Sequence, residues 1–387
     1  MRVVTGLLHV LLLVTGVALA QTPSWTVGVI ASSSGTYADV GRPQAFAAER
    51  SGAALGVRGV FGTPLLVDVR DDGGDPRRAV ALANELADAG AVAVVCCTTP
   101  AATAQVAAAL DARMTPHLAL AESDLAGRFW SFALVPDDRA RLTAIAVDAA
   151  AIGKASLALM TLDTPFGAAS EAALERALAD TGRRLAGEAR YPAHATVLTP
   201  EALWVATREP GAVVVWGLPN DLPVALDALR RRGYEGPVYA RAAALPPIAL
   251  RRLGAAGAPM RDANDLWAGV RSAVAPAVLA GRLPPEHPHA AAVDAFVGRV
   301  LGGDPTAASP VEREAMARVD DALLWLLAAL EQVAALGLDD GPVTRRLATR
   351  DALVSAPPAL LAAGAYDAAD GDPRTVHWNG LIVASVQ

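Results

Sequence analysis

Residues 64–96 read PLLVDVRDDGGDPRRAVALANELADAGAVAVVC. An apolar run over 64–69 has the length and β-branched content of a strand. Asp71-Asp72-Gly73-Gly74 follows as a turn, and Asp75-Pro76 then combines an N-cap carboxylate with proline in the first helical turn. Arg77 and Arg78 lead into an apolar stripe, Gly90 stands where a helix C-cap belongs, and 91–96 is a second apolar run. Strand, turn, helix, strand is a βαβ unit, which predicts a parallel sheet covered by helices on both faces.

The same alternation runs outward in both directions. Further strands are expected over 25–30, 117–120, 156–160, 184–190, 212–216 and 238–240, and helices over 42–54, 76–89, 101–112, 140–151, 166–180 and 222–231, with Gly182 as another C-cap. They group into two similar βαβαβ blocks, 25–135 and 138–240. Past residue 260 the pattern changes. Pro284-Pro285-Glu286-His287-Pro288 reads as a stiff loop, His287-Pro288-His289 as surface, 290–301 and 311–336 as helices, and 376–386 as a strand-like tail holding Trp378. Met316, Val319, Leu323, Leu327 and Leu330 form a core-facing stripe on the long helix. Asp320, Asp321 and Glu331 interrupt it as a membrane span.

Composition excludes several functions. The 387 residues carry 33 Lys+Arg against 40 Asp+Glu, for a net charge of −7. An acidic chain without a basic block is unsuited to nucleic acid, whose phosphates need clustered positive charge. Lys154 is the only lysine, a bias in keeping with a GC-rich genome. At the N-terminus Arg2 precedes an apolar run over 7–19, and Ala18 and Ala20 bracket Leu19 before Gln21. That is the pattern of a cleaved secretory signal peptide over 1–20, and with no cysteine after Ala20 there is no lipid attachment site. A periplasmic or otherwise exported protein is expected. Cys96 and Cys97, the only cysteines, read as two small buried apolar residues ending a strand, because adjacent cysteines seldom meet disulfide geometry.

Catalytic signatures are missing. The sequence has no G-x-x-x-x-G-K-[ST], no G-x-G-x-x-G after the first strand, no G-x-S-x-G and no H-E-x-x-H. His117, His194, His287, His289 and His377 are scattered, and Asp71–Asp75 lacks the spacing of a calcium loop. No metal, no cofactor and no enzymatic activity are expected.

Several stretches, in order along the chain, resemble the leucine/isoleucine/valine-binding family of periplasmic substrate-binding proteins. They are Gly28-Val29-Ile30-Ala31-Ser32-Ser33-Ser34-Gly35 with Ala38-Asp39-Val40-Gly41; Val57-Arg58-Gly59-Val60 with 67–76; and Asp163-Thr164-Pro165-Phe166-Gly167. Residues 210–217 with Asn220-Asp221 and Gly233-Tyr234 follow, then Tyr366-Asp367 with Gly371-Asp372. The resemblance implies the α/β type I periplasmic binding protein fold, two Rossmann-like lobes joined by three crossovers. Lobe one would span 21–136 and 266–372, and lobe two 137–265 and 373–387.

In parallel α/β sheets a ligand sits beyond the carboxyl ends of the strands, at loops that feed helix N-termini. Those loops offer Ser34, Tyr37, Thr98, Thr99, Pro100, Ala121, Glu122 and Ser123 in lobe one, and Phe166, Leu218 and Arg241 in lobe two. Hydroxyls of Thr98, Thr99 and Ser123 are candidates for holding a carboxylate, and Phe166 for covering an apolar group. The chain also departs from the family. Cys96 stands near a usual glycine, Pro100 near the serine that holds a substrate carboxylate, and Ala121-Glu122-Ser123 replaces Ala-x-Thr. The acid for a substrate ammonium should fall near 241–245, which reads Arg, Ala, Ala, Ala, Leu. Either Glu122 substitutes for it or the ligand has no α-ammonium. The leading reading is a monomeric solute-binding component of an ABC importer, with a small polar ligand (amino acid, amide or related carboxylate) and permease subunits as partners. Behind it stand a ligand-sensing module on the same fold and, last, an exported α/β enzyme.

Overall fold

The computed structural model describes residues 24–154, 156–218, 221–241, 269–337, 341–368, 372 and 375–385. The expected signal peptide over 1–20 lies outside them, as do Asn220, residues 242–245 and Gly371. The first block runs β1 (Trp25–Ala31), α1 (Ala38–Arg58), β2 (Leu65–Asp71), α2 (Pro76–Asp88), β3 (Ala93–Cys96), α3 (Pro100–Ala112), β4 (His117–Ala119) and β5 (Ser131–Ala133). Its sheet has the order β2-β1-β3-β4-β5, parallel throughout.

The second block opens with α4 (Asp138–Ala151) and continues β6 (Leu157–Leu162), α5 (Pro165–Ala179), β7 (Gly187–Tyr191), α6 (Thr199–Ala206), β8 (Ala212–Trp216), α7 (Asp221–Arg231), β9 (Val238–Ala240) and β10 (Val270–Val274). The chain then leaves for α8 (Ala290–Val300), α9 (Pro310–Ala335), α10 (Pro342–Ser355) and the short antiparallel pair β11 (Ala359–Leu360) and β12 (Ala365–Tyr366), and ends in β13 (Ile382–Ser385). The second sheet has the order β13-β10-β9-β8-β6-β7, with only β13 antiparallel to its neighbour.

The cap expected at Asp75 forms, and other helices start in the same way. The Asp75 carboxylate accepts from the Arg77 N–H at 2.9 Å, and Asp137 from Ala140 at 2.7 Å. Ser309 and Glu312 form a capping box at the start of α9. Two glycines let α1 and α5 approach the preceding strands. A Cβ on Gly41 would collide with the Ser32 carbonyl oxygen, and one on Gly167 with that of Leu162. The equivalent placement of these two glycines is the repeat of the two blocks, seen in packing.

The long helix explains lobe one's core. Met316, Val319, Leu323, Leu327 and Leu330 are all buried there with Val27, Val29, Phe296 and Tyr366. Each such leucine removed from water stabilises by about 1.5–3 kcal/mol. Asp320 and Asp321 are also 0% exposed, so they face inward rather than breaking the helix's buried side. Asp320 accepts from Arg299 at 2.7 and 2.5 Å and from the Ser51 hydroxyl at 2.6 Å. Asp321 accepts the N–H groups of Ala362 and Ala363 at 3.0 and 2.7 Å. Burial, and then the nearby Asp320 charge, push the Asp321 carboxyl well above the usual carboxylate range.

Four expectations need correction. Residues 270–274, expected in the first lobe, pair with β9 in the second sheet, and the core of the first lobe resumes only at Ala275. The N-terminal part of the expected strand over 184–190 lies outside β7, which starts at Gly187. The histidine loop is not all surface, since His289 is 2% exposed and its Nδ1 lies 2.7 Å from the Leu361 carbonyl oxygen. Finally, Cys96 and Cys97 are buried as expected but are not separate thiols. The peptide between them is cis, their Cα atoms lie 3.1 Å apart, and the two sulfurs form a disulfide.

Candidate functional site

Both sheets direct the carboxyl ends of their strands toward loops that feed helices, and the predicted residues occupy those loops. Their chemistry divides by lobe. In lobe one much of the polar capacity is already committed. Thr98 Oγ1 accepts from the Ser32 N–H at 2.9 Å and donates to Gln44 Oε1 at 2.7 Å. Thr99 caps α3 by accepting from the Ala102 N–H at 3.3 Å, and Pro100 is the first residue of that helix. Ser32 Oγ donates to Asp72 Oδ1 at 2.7 Å, which also takes the Gly74 N–H at 2.8 Å.

Ser34 and Tyr37 sit further out. The Ser34 hydroxyl donates to Asp71 Oδ2 at 2.6 Å, and its N–H to Oδ1 at 3.2 Å. Desolvation alone would raise the Asp71 carboxyl, but the hydrogen bonds from Ser34 and Gly73 outweigh it and bring it down to about 2. Tyr37 is 46% exposed at the start of α1, with its ring beside Gly74. The acidic turn is therefore a knot that shapes the β2–α2 loop.

Beneath the loop after β3, His117 is fully buried. Its Nε2 lies 3.1 Å from the Cys96 carbonyl oxygen and its Nδ1 3.2 Å from Ser131 Oγ. Burial lowers its pKa to about 4, so the ring is neutral at physiological pH. It is a structural histidine joining β3, β4 and β5.

The loop after β4 behaves differently. Ala121, Glu122 and Ser123 are all half-buried. Glu122 Oε1 accepts from Arg141 Nη1 at 2.5 Å, and Oε2 pairs with Arg241. Arg141 lies in the first turn of α4, and Arg241 directly follows β9. A carboxylate from lobe one is thus held by two guanidinium groups from lobe two. Arg241 also pairs through Nε with Asp138 at 3.0 Å, and its guanidinium carbon lies 5.3 Å from the centre of the Phe166 ring. Phe166, the second residue of α5, is half-buried against both apolar clusters of lobe two. Leu218 is half-buried, and its N–H donates to Asp221 Oδ2 at 2.7 Å.

The structure therefore brings Glu122, Phe166 and Arg241 into one cluster, whereas Ser34, Tyr37, Thr98, Thr99 and Pro100 build the loops of lobe one. Sequence reasoning missed Arg141 and Asp138. The signal was present in Asp137-Asp138-Arg139-Ala140-Arg141, a dense charge run at the mouth of an otherwise Ala-rich helix. Surface recesses of about 420 Å³ beside α1 and β2, and of about 570 Å³ at the end of α5, lie away from this cluster. Among the described residues no group of three or more His, Cys, Asp or Glu side chains is arranged to hold a metal ion.

Comparison with known proteins agrees with this architecture. The sequence profile described as periplasmic binding protein matches residues 24–377. No curated protein matches the sequence. Among solved structures, Rp1789 of Rhodopseudomonas palustris strain CGA009 superposes with a TM-score of 0.70 at 20% identity, covering 94% of this chain and 98% of its own. The leucine-binding protein LivK of Thermotoga maritima gives 0.64 at 16% identity, over 94% and 95% of the two chains. LivJ of Streptococcus pneumoniae, solved with isoleucine, gives 0.61 at 13% identity, over 94% and 99%. Alternating βα units, one parallel and one mainly parallel sheet, three passages of the chain between them and a match over nearly the whole described length lead to one assignment: this chain belongs to the periplasmic binding protein family and has its type I fold.

Proposed function

We propose that this protein is the solute-binding component of an ABC importer, exported to the periplasm by the signal peptide over 1–20 and capturing a small polar solute between two closing lobes. The observation that carries this reading is the Glu122 carboxylate of lobe one held by Arg141 and Arg241 of lobe two, because it places charged, partly accessible groups of both lobes at one point. A solute that touches both lobes only when they close shifts the open–closed equilibrium by its differential affinity. The permease recognises the closed form, and the protein works as a monomer that binds without turnover. LivJ, which was solved with isoleucine, supports the size class of the solute. The lobes divide at about 136, 274 and 372, the middle boundary following β10.

Thermal unfolding of the exported chain against amino acids, amides and ammonium-free carboxylates tests the reading. A bound solute at about 100 times its dissociation constant raises the unfolding free energy by about 2.7 kcal/mol. Phe166→Ala removes the ring beneath Arg241 and is expected to weaken the bound solute about tenfold while leaving the ligand-free midpoint nearly unchanged. Unaltered affinity would take Phe166 out of the site.

A further inference from the structure

We propose that the outer edge of β2 is an interaction surface for a second copy of this chain. Two β2 strands pair antiparallel about a two-fold axis at Val69, joining the sheets of two first lobes into one.

The hydrogen-bond register of the sheet is the first ground. β2 is its terminal strand, with β1 as its one neighbour. The Trp25 N–H donates to the Pro64 carbonyl oxygen at 2.9 Å, and the Asp72 N–H to that of Ala31 at 3.3 Å. The even-numbered residues of β2 therefore face β1, and Leu65, Val67 and Val69 turn their N–H and C=O groups outward. Among the described residues none of those outward groups has a hydrogen-bond partner. Two other terminal strands are closed by side chains. Trp204 Nε1 donates to the Glu188 carbonyl oxygen of β7 at 2.8 Å, with Arg208 stacked on the indole. The Thr375 hydroxyl donates to the Ala133 carbonyl oxygen of β5. Beside β2 there is instead the recess of about 420 Å³, walled by Ala48, Gly52, Gly56 and Val57 of α1, with Val57 and Leu66 exposed at its rim. An open edge flanked by apolar surface is a template for a further strand.

Charge is the second ground, and it chooses the partner. Val67 packs toward α1, where it would meet a Cβ placed on Gly52, so Asp68 and Arg70 lie on the other face of β2. They are exposed and pair with each other along the strand at 2.7 and 2.8 Å. Like charges at these positions would repel a second copy. Opposite charges two residues apart make the strand complementary to itself once it is reversed. The outward groups bond only in registers that set odd-numbered residues opposite one another. Centring on Val67 puts Asp68 opposite Leu66 of the second copy, and centring on Asp68 puts two carboxylates face to face. Centring on Val69 puts each Asp68 opposite an Arg70 and Val69 opposite itself, which is the favoured set of cross-strand pairs.

This ladder covers residues 67–71, a small area for a permanent interface, so a dissociation constant on the order of 10–100 µM is expected. Below that concentration the chain is the monomer that binds solute. The second copy adds nothing to the Glu122 cluster, because β2 and β4 are separated by β1 and β3.

Sedimentation of the exported chain from about 1 to 500 µM, a range that brackets such a constant, is the test. The expected result is a monomer that becomes a dimer as concentration rises. Asp68→Arg sets arginine opposite arginine and Arg70→Asp sets aspartate opposite aspartate, and each weakens the dimer at least tenfold. Mixing the two variants sets the arginines of one copy opposite the aspartates of the other and restores it. Neither misfolding nor the pair within one strand can imitate that recovery. A monomer throughout the range overturns the inference. So does a dimer that both single variants leave intact, or one that mixing fails to restore. Solute binding is expected to survive in both variants, so these outcomes leave the solute-binding reading standing.

Discussion

The two lobes share one architecture but are assembled differently. Lobe two is built mostly from one continuous stretch, and its strands and helices close on two apolar clusters. Lobe one is completed by α8, α9 and α10, which come from the far end of the chain and are clipped on by buried polar groups. Ser51 reaches Asp320 across 269 residues of sequence, and Arg346 reaches the Ala91 carbonyl oxygen at 2.9 Å across 255. Within the added segment itself, Arg313 donates to the carbonyl oxygens of Pro305, Ala308 and Val278. The contrast teaches what an apolar stripe leaves open. Leucines on α9 favour burial against any apolar surface, whereas Asp320 accepts only an arrangement that brings Arg299 and Ser51 to it, which fixes the register of the added helices.

The sharpest way to break this comparison is Asp320→Ala. It leaves the Arg299 guanidinium and the Ser51 hydroxyl without their acceptor inside lobe one, and breaking such a buried pair costs about 3–5 kcal/mol. Urea unfolding measures it, and a loss under about 1 kcal/mol would mean that the clips contribute little beyond the leucines.

A pH titration of stability gives the next effect. His117 is held neutral in the folded chain with a pKa near 4, below its ordinary 6.5. Its contribution is therefore fully present above pH 6.5 and is lost as pH falls toward 4, amounting to about 3 kcal/mol. His117→Asn should flatten the stability curve in that window, and an unchanged slope would assign the loss to other groups.

A smaller effect sharpens the picture of lobe two. Ile145→Val deletes one methyl from a fully buried site on α4 and is expected to cost about 0.5–1.5 kcal/mol in the same unfolding assay. The smallest is Arg231→Ala. It removes an exposed ion pair with Asp227 on α7, worth about 0.3–0.5 kcal/mol, so a loss above about 1 kcal/mol would show that the surface of lobe two carries more than its packing implies.

Much of the fold was legible because helices and strands are written in short-range periodicity. Residues 64–96 display a complete βαβ unit, and the α9 stripe falls on buried positions as read. The missed elements have physical reasons. Ser131–Ala133 has three residues, too few for a period of two to show. In α10, Arg345, Arg346 and Arg350 disguise a helix whose Arg346 is buried. Val270–Val274 carries Arg271, whose charge is answered by Asp148 at 2.7 Å from another element. Of the candidate cluster, the loops after the strands were legible, and Glu122, Phe166 and Arg241, read as loop candidates, lie together in it. Arg141 was not, because a cation in a charged helix start reads as a solvated face until its surroundings are known.

The amino-acid sequence by itself determined the order and type of most elements, the parallel sheets and the loops at which a site can form, since these follow from burial patterns and caps spanning fewer than about ten residues. Only the tertiary structure decided that Glu122 meets Arg141 and Arg241, that Asp320 and Asp321 face the core, and that 270–274 belongs to the second sheet. Ion pairing depends on distances of a few ångströms between groups that lie 19 and 119 residues apart along the chain, and chain separation carries no information about such a distance until the strands are paired.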